Sequence, residues 1–197
     1  MTSARRAEPT FASHFLRDPA HGPLPALLLV LTVMTGLVDA VSILGLGRVF
    51  VANMTGNVVF IGFGLAGVPG FSLPASVAAL IGFLVGALIG GDMVARFAGH
   101  RGLMLRNAGF VEFVLMAIAF VLVLPSTGLP GPGVGGAVAA LSAAAMGIQN
   151  ATARRLAVPD LTTTVLTMTL TGIAADLRHS QAVTTTRRIL AVLAMLL

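Results

Sequence analysis

Residues 51–60 read VANMTGNVVF. Asn53, Thr55, Gly56 and Asn57 interrupt a run that is otherwise as apolar as lipid, and hydrocarbon cannot satisfy an amide side chain. The stretch therefore enters an apolar phase without being a plain helix through it. Gly56 is expected to loosen a helix here, and the amides are suited to satisfy the backbone groups that a broken helix frees. Asn53 and Asn57, four residues apart, would share one helical face. Together with Thr55 they are candidates either to stitch the break or to line a polar cavity near a membrane midplane.

The rest of the chain supports a membrane setting. Of 197 residues only 10% are charged and the mean hydropathy is +0.97, whereas a soluble domain carries about 25% charged residues. Seven apolar segments are legible: Leu24–Leu46, Val49–Ala66, Leu73–Ala95, Ala108–Leu124, Val134–Ala153, Leu161–Ala175 and Ile189–Leu197. A crossing helix needs about 20 residues. The first, third and fifth segments meet that length, and the fourth is just adequate. The second carries the interruption, the sixth is short and rich in threonine, and the last reads as a truncated helix. The expected class is an all-α, polytopic helical membrane bundle forming one domain over 24–197, preceded by a disordered cytoplasmic tail over 1–23.

All 12 basic residues are arginine. They sit in short patches between apolar segments, as topology signals do, and not in a basic stripe with aromatics, so nucleic acid is not expected as a partner. If every segment crosses, the two sides receive equal numbers of arginines. If instead the second and sixth segments enter and return on one side, with the N-terminus inside, every arginine but Arg48 falls inside. An outside N-terminus with a crossing second segment and a non-crossing sixth segregates them less well.

The two exceptional segments also resemble each other. GLVDA (36–40) matches GIQNA (147–151), and FVANMTGNVVFIG (50–62) lies near TTTVLTMTLTGIA (162–174) at an offset one residue larger. This is the trace of an inverted repeat whose interrupted segments meet near the midplane, with Asn53 and Asn57 expected to face Thr167 and Thr169.

TGLVDAVSILGLGRVFVANMTGN (35–57) and GIQNATARRLAVPDLTTTVLTMTLTGIAADL (147–177) resemble the YoaK-type family of bacterial inner-membrane proteins. The motifs are Gly-x-x-Asp-Ala, Met-Thr-Gly-Asn, and Gly-x-Gln-Asn-Ala with its paired arginine and threonine-rich continuation. The resemblance runs from about Leu24 to Leu197. It departs at Thr167-Met168, where the family has Thr-Gly. It implies a multi-pass inner-membrane protein and supplies no activity.

Function must come from the polar residues. Asp39 lies inside the first span, where a carboxylate is costly. It is either an ion or proton site or a hydrogen-bond partner for a helix end. Gln149, Asn150, Thr167 and Thr169 complete the expected substrate or ion pathway, although threonine often back-bonds within its own helix, as Thr162, Thr163, Thr164 and Thr171 are expected to do. Asp92 and Glu112 are read as salt-bridge partners of Arg96 or Arg106 near the inner ends of their spans. Gly82, Gly86 and Gly90 form a small-residue ladder for close packing within the bundle or between copies of the chain. The chain has no cysteine, and its four histidines show no metal spacing. With no catalytic constellation, no enzyme activity, cofactor or metal is expected. The expected partners are the bilayer and a small solute. The expected role is a small-solute transporter or permease, proton-coupled through Asp39. The alternative is a non-transporting membrane scaffold.

Overall fold

The computed structural model describes residues 22–97, 99–156, 166–175 and 182–196. These contain seven helices: α1 Leu24–Gly45, α2 Met54–Leu65, α3 Leu73–Arg96, α4 Arg101–Val123, α5 Pro132–Leu156, α6 Leu166–Ala175 and α7 Ala182–Leu196. Four of them, α1, α3, α4 and α5, are long and apolar enough to cross a membrane. The 12 residues of α2 span only about 18 Å at 1.5 Å per residue, short of a bilayer core. The tail before residue 22 and Thr162, Thr163 and Thr164 lie outside the described residues.

Local chemistry sets the boundaries. Pro25 sits in the first turn of α1 and Pro74 in that of α3, where the missing N–H costs nothing. Ser72 caps α3, its Oγ accepting the Ala75 N–H at 3.3 Å. α4 begins seven residues before the apolar segment read from the sequence, because Arg101 and Arg106 lie on its first two turns. Glu112 is thereby at the centre of a membrane-length helix, not near its end.

α5 is the central helix. Over their most apolar windows it is 56% buried, against 11% for α4. Its Gly and Ala content lets α3 lie directly on it. Gly82 faces Ala140, Gly86 faces Ala144, and Gly90 faces Ile148 and Ala151. The positions advance together, so α3 and α5 run parallel. A Cβ on Gly82 or Gly86 would strike the Ala140 or Ala144 carbonyl. The glycine ladder thus serves contact within the chain. Side chains such as Leu44, Leu88, Phe110, Phe113 and Phe120 point outward and are exposed, as lipid-facing residues are.

α1 meets α5 in the opposite sense. Leu27 and Leu28 lie near Thr152 and Ala153, Thr35 bonds Gln149, and Ser42 and Leu46 lie near Val138 and Ser142. α1 and α5 are therefore antiparallel. They are also equivalent in sequence: α1 ends at Gly45 and α5 at Leu156, an offset of 111, while α2 starts at Met54 and α6 at Leu166, an offset of 112. Packing repeats with them. Gly36 of α1 presses on the Met195 carbonyl of α7, and Gly147 of α5 presses on the Phe83 carbonyl of α3. The halves α1–α2–α3 and α5–α6–α7 form an inverted repeat, with α4 between them.

These helix directions collect Arg96, Arg101, Arg106, Arg154 and Arg155 at the end of the bundle where α1 begins. Arg48 stands at the opposite end.

Candidate functional site

Beyond α1 the chain turns back on itself. Gly47 and Arg48 both adopt left-handed backbone, φ +83° and +57°, a conformation that glycine tolerates and arginine rarely shows. The following residues descend beside α1 in non-helical form to the level of Asp39, and α2 then rises to the same end. The two limbs close where the Ser72 N–H reaches the Gly47 carbonyl at 3.3 Å. This is a re-entrant segment, and its non-helical backbone must be satisfied from within the protein.

The polar residues do that satisfying. Asp39 Oδ1 accepts the N–H groups of Val51 and Ala52, both at 2.8 Å. Asn57 accepts the Phe50 N–H at 2.9 Å and donates its own amide to the Phe50 carbonyl at 2.6 Å. Its side chain thus imitates a paired strand. Ser42 Oγ lies within range of the Val49 carbonyl, 2.8 Å, and that of Asp39, 2.9 Å, and donates its one proton to either. Gly56 leaves room for the Phe50 ring, which stacks on Phe60 at 5.4 Å. Phe60 and Phe63 pack on Phe71, at 5.0 and 5.1 Å, and the Arg48 guanidinium lies 5.5 Å from the Phe71 centroid. Aromatic and cation–π contacts therefore close the mouth of the segment.

Three expectations are corrected by this geometry. The helix does not break at Gly56, which lies in the first turn of α2; the break is the non-helical stretch before Met54. Asn53 and Asn57 share no face, since Asn53 precedes the helix and is exposed while Asn57 is fully buried. Among the described residues α2 does not touch α6, so Asn57 faces Phe50 and not Thr167 or Thr169. Thr55 and Thr167 are exposed, and Thr169 is buried. Asn150, the counterpart of Asp39, donates to the Met146 carbonyl at 2.9 Å.

A second polar group lies across the α1–α5 contact. Thr32, Thr35, Asp39 and Ser42 form one buried stripe on α1, and Ser142, Gln149 and Thr152 form one on α5. Gln149 Nε2 donates to Thr35 Oγ1 at 2.9 Å, and Thr35 donates to the Leu31 carbonyl at 2.8 Å. Gln149 Oε1 and Thr152 Oγ1, in side chains 2% exposed, have no partner. Both residues line a cavity of about 170 Å³ between α1, α4 and α5, and Glu112 lines it with them. Among the described residues no arginine pairs with Glu112, and Arg106 bonds Asn107 instead. The salt bridge expected for Glu112 is not made, because the residue sits too deep. Asp92 is exposed.

This cavity lies in line with two open grooves. Toward the arginine-rich end it shares Leu27 and Leu105 with a groove of about 570 Å³ bordered by Arg101 and Arg106. Toward the Arg48 end, past the Thr35–Gln149 bond, lies one of about 460 Å³ between Val41, Met116 and Ser142. Sequence reading placed Glu112 at the end of its span and missed Thr35 and Thr152. The signal for the threonines was present in helical spacing: positions 32, 35, 39 and 42 fall on one face.

No solved structure matches the chain. It is 32% identical over 158 residues to the UPF0700 transmembrane protein YoaK of Bacillus subtilis (strain 168), the match covering 77% of this chain and 66% of that protein. Residues 27–197 match the family described as "Protein of unknown function (DUF1275)", and the chain, a multi-pass membrane protein by its apolar helices, belongs to this family.

Proposed function

We propose that the protein is a permease for a small solute, located in the bacterial inner membrane, with a pathway between α1, α4 and α5 that is closed in this conformation at the Thr35–Gln149 bond. The observation that carries this reading is the cavity holding the unpartnered polar atoms of Gln149 and Thr152, with an open groove along α1 and α4 on each side of it. Buried polar groups without partners are uncommon and call for an explanation. A solute that spends part of its time among them supplies one. Inverted repeats support the reading as well, since two halves of opposite orientation can exchange conformations to open alternately to each side.

A charged thiosulfonate reagent tests the pathway, because it modifies cysteines only where water reaches. The chain has no cysteine of its own, so single substitutions at Leu105, Ala108, Met116 and Ser142 report unambiguously. Reaction at 105 and 108 from one side of the membrane and at 116 and 142 from the other is expected. No reaction at any of the four would mean that lipid, not water, fills the line, and the permease reading would fall.

The scaffold reading draws support from Asp39. Its carboxylate is held by the Val51 and Ala52 amides just before α2, an anchoring role rather than the poised one that proton coupling through Asp39 requires. Transport in our proposal therefore does not run through Asp39.

A further inference from the structure

We propose that the cavity at Glu112, Gln149 and Thr152 binds a small organic ammonium ion, a protonated primary amine of about six heavy atoms or fewer, given that cavities near 150 Å³ hold benzene. The proposal rests on the permease reading for its consequence, transport, and not for binding itself.

The orientation of the Gln149 amide follows from a chain of hydrogen bonds. Thr35 donates its one hydroxyl proton to the Leu31 carbonyl at 2.8 Å. With that proton placed it offers Gln149 a lone pair, and the Gln149 NH₂ faces it at 2.9 Å. Oε1 is left as an acceptor with no partner. The Thr152 hydroxyl is also unpartnered. Glu112 adds a carboxyl group with no cationic neighbour on the cavity wall. Three oxygen-bearing side chains thus meet one cavity whose lining, among the described residues, has no arginine or histidine.

This chemistry selects among ligands. An anion would meet Glu112 and no compensating charge. A neutral solute would offer a carboxylate at Glu112 no countercharge. A bare divalent cation wants six or more oxygens or several retained waters, and the remaining walls, Leu27, Leu28, Leu31 and Ala108, supply none. An ammonium head carries three N–H donors and one positive charge. It matches a carboxylate, an amide oxygen and a hydroxyl one for one, and its carbon tail suits the leucines. Primary amines of this kind are protonated at neutral pH, as the lysine side chain is.

The test is thermal unfolding of the full chain in non-ionic detergent, read by scanning calorimetry, with n-propylammonium chloride added. A ligand that binds only the folded state raises the midpoint with concentration. Propylammonium is expected to raise it, and equal concentrations of sodium chloride, sodium propionate or 1-propanol are not. Glu112→Gln should weaken the apparent affinity about thirtyfold or more, as loss of one partner from a buried charge pair does. Gly109→Leu is a second variant that adds bulk to the cavity from a position with open space around it, and it should abolish the shift without touching any polar group. An equal shift with sodium chloride or 1-propanol, or a propylammonium shift unchanged in both variants, would overturn the proposal. Reagent access along the pathway without any propylammonium shift would overturn the ammonium class and leave the permease. A propylammonium shift without reagent access would support the site and remove the permease.

Discussion

Asn57 holds Phe50 by both of its backbone groups, accepting from the N–H and donating to the carbonyl. A side-chain amide replaces the neighbouring strand that an extended residue inside a membrane would otherwise need. This is how a polar residue earns its place in VANMTGNVVF: it completes the backbone and faces no cavity. Phe50 is not alone in this. Between Gly47 and Asn53 the carbonyls of Gly47 and Val49, both groups of Phe50 and the amides of Val51 and Ala52 all find partners in Ser72, Ser42, Asn57 and Asp39.

Asn57→Ala leaves two buried backbone groups unpaired, at about 1–3 kcal/mol each. A loss of about 2–6 kcal/mol is expected, seen as a lower unfolding midpoint in detergent. The chain has no tryptophan or tyrosine, so calorimetry or a fluorescent fusion must report it. Asn53→Ala should leave the midpoint unchanged, since Asn53 is exposed and its side chain caps nothing. Equal effects at the two positions would contradict the geometry.

The α3–α5 contact gives a sharper contrast within one helix. Gly86→Ala drives a methyl group into the Ala144 carbonyl, and overpacking of this kind costs about 1–3 kcal/mol, occasionally more. Gly91→Ala meets nothing within 4 Å and should stabilise the helix by about 0.5–1 kcal/mol through the lower backbone entropy of alanine. The midpoints of the two variants should move in opposite directions.

The sequence carries much of this architecture in readable form. The length of VANMTGNVVF between crossing segments, the segregation of arginines and the GLVDA/GIQNA match all point to a re-entrant segment within an inverted repeat. The error about Asn53 came from assuming that the helix begins early enough to include it. Helical spacing relates two residues only when both are helical. Glu112 was misplaced for the opposite reason: Arg101 and Arg106 made the start of α4 look like a loop, so a residue at the helix centre was read as lying at its end. The partnering of Thr35 with Gln149 was not legible at all, because it depends on α1 crossing α5 at that height.

Asp39→Asn keeps an oxygen that can accept from Val51 and Ala52. It should lose only the strengthening that charge gives those bonds, with expression and fold retained. Asp39→Leu removes the acceptor, orphans two amides in the bundle interior, and should abolish folded protein on size-exclusion chromatography. If Asp39→Asn fails to fold while Asp39→Leu succeeds, the anchoring role is wrong.

Sidedness follows from the helix directions. α3 and α5 run parallel, so Arg96, Arg154 and Arg155 share an end of the bundle. The lining of the cavity at Leu105 and Leu27 brings the start of α4, with Arg101 and Arg106, to that same end. Arginine-rich connectors are retained on the cytoplasmic side, so the expected orientation has this end in the cytoplasm and Arg48 at the outer face. The re-entrant hairpin then returns to the outer face at both limbs, since Ser72 reaches Gly47. Single cysteines at Pro69 and Thr127 should therefore react with an impermeant maleimide in intact cells. Cysteines at Gly99 and Arg155 should react only after the membrane is opened. The decisive pair is 69 and 99, which lie on either side of α3: labelling of both from outside would mean that α3 does not cross, and the re-entrant arrangement of α2 would fall with it.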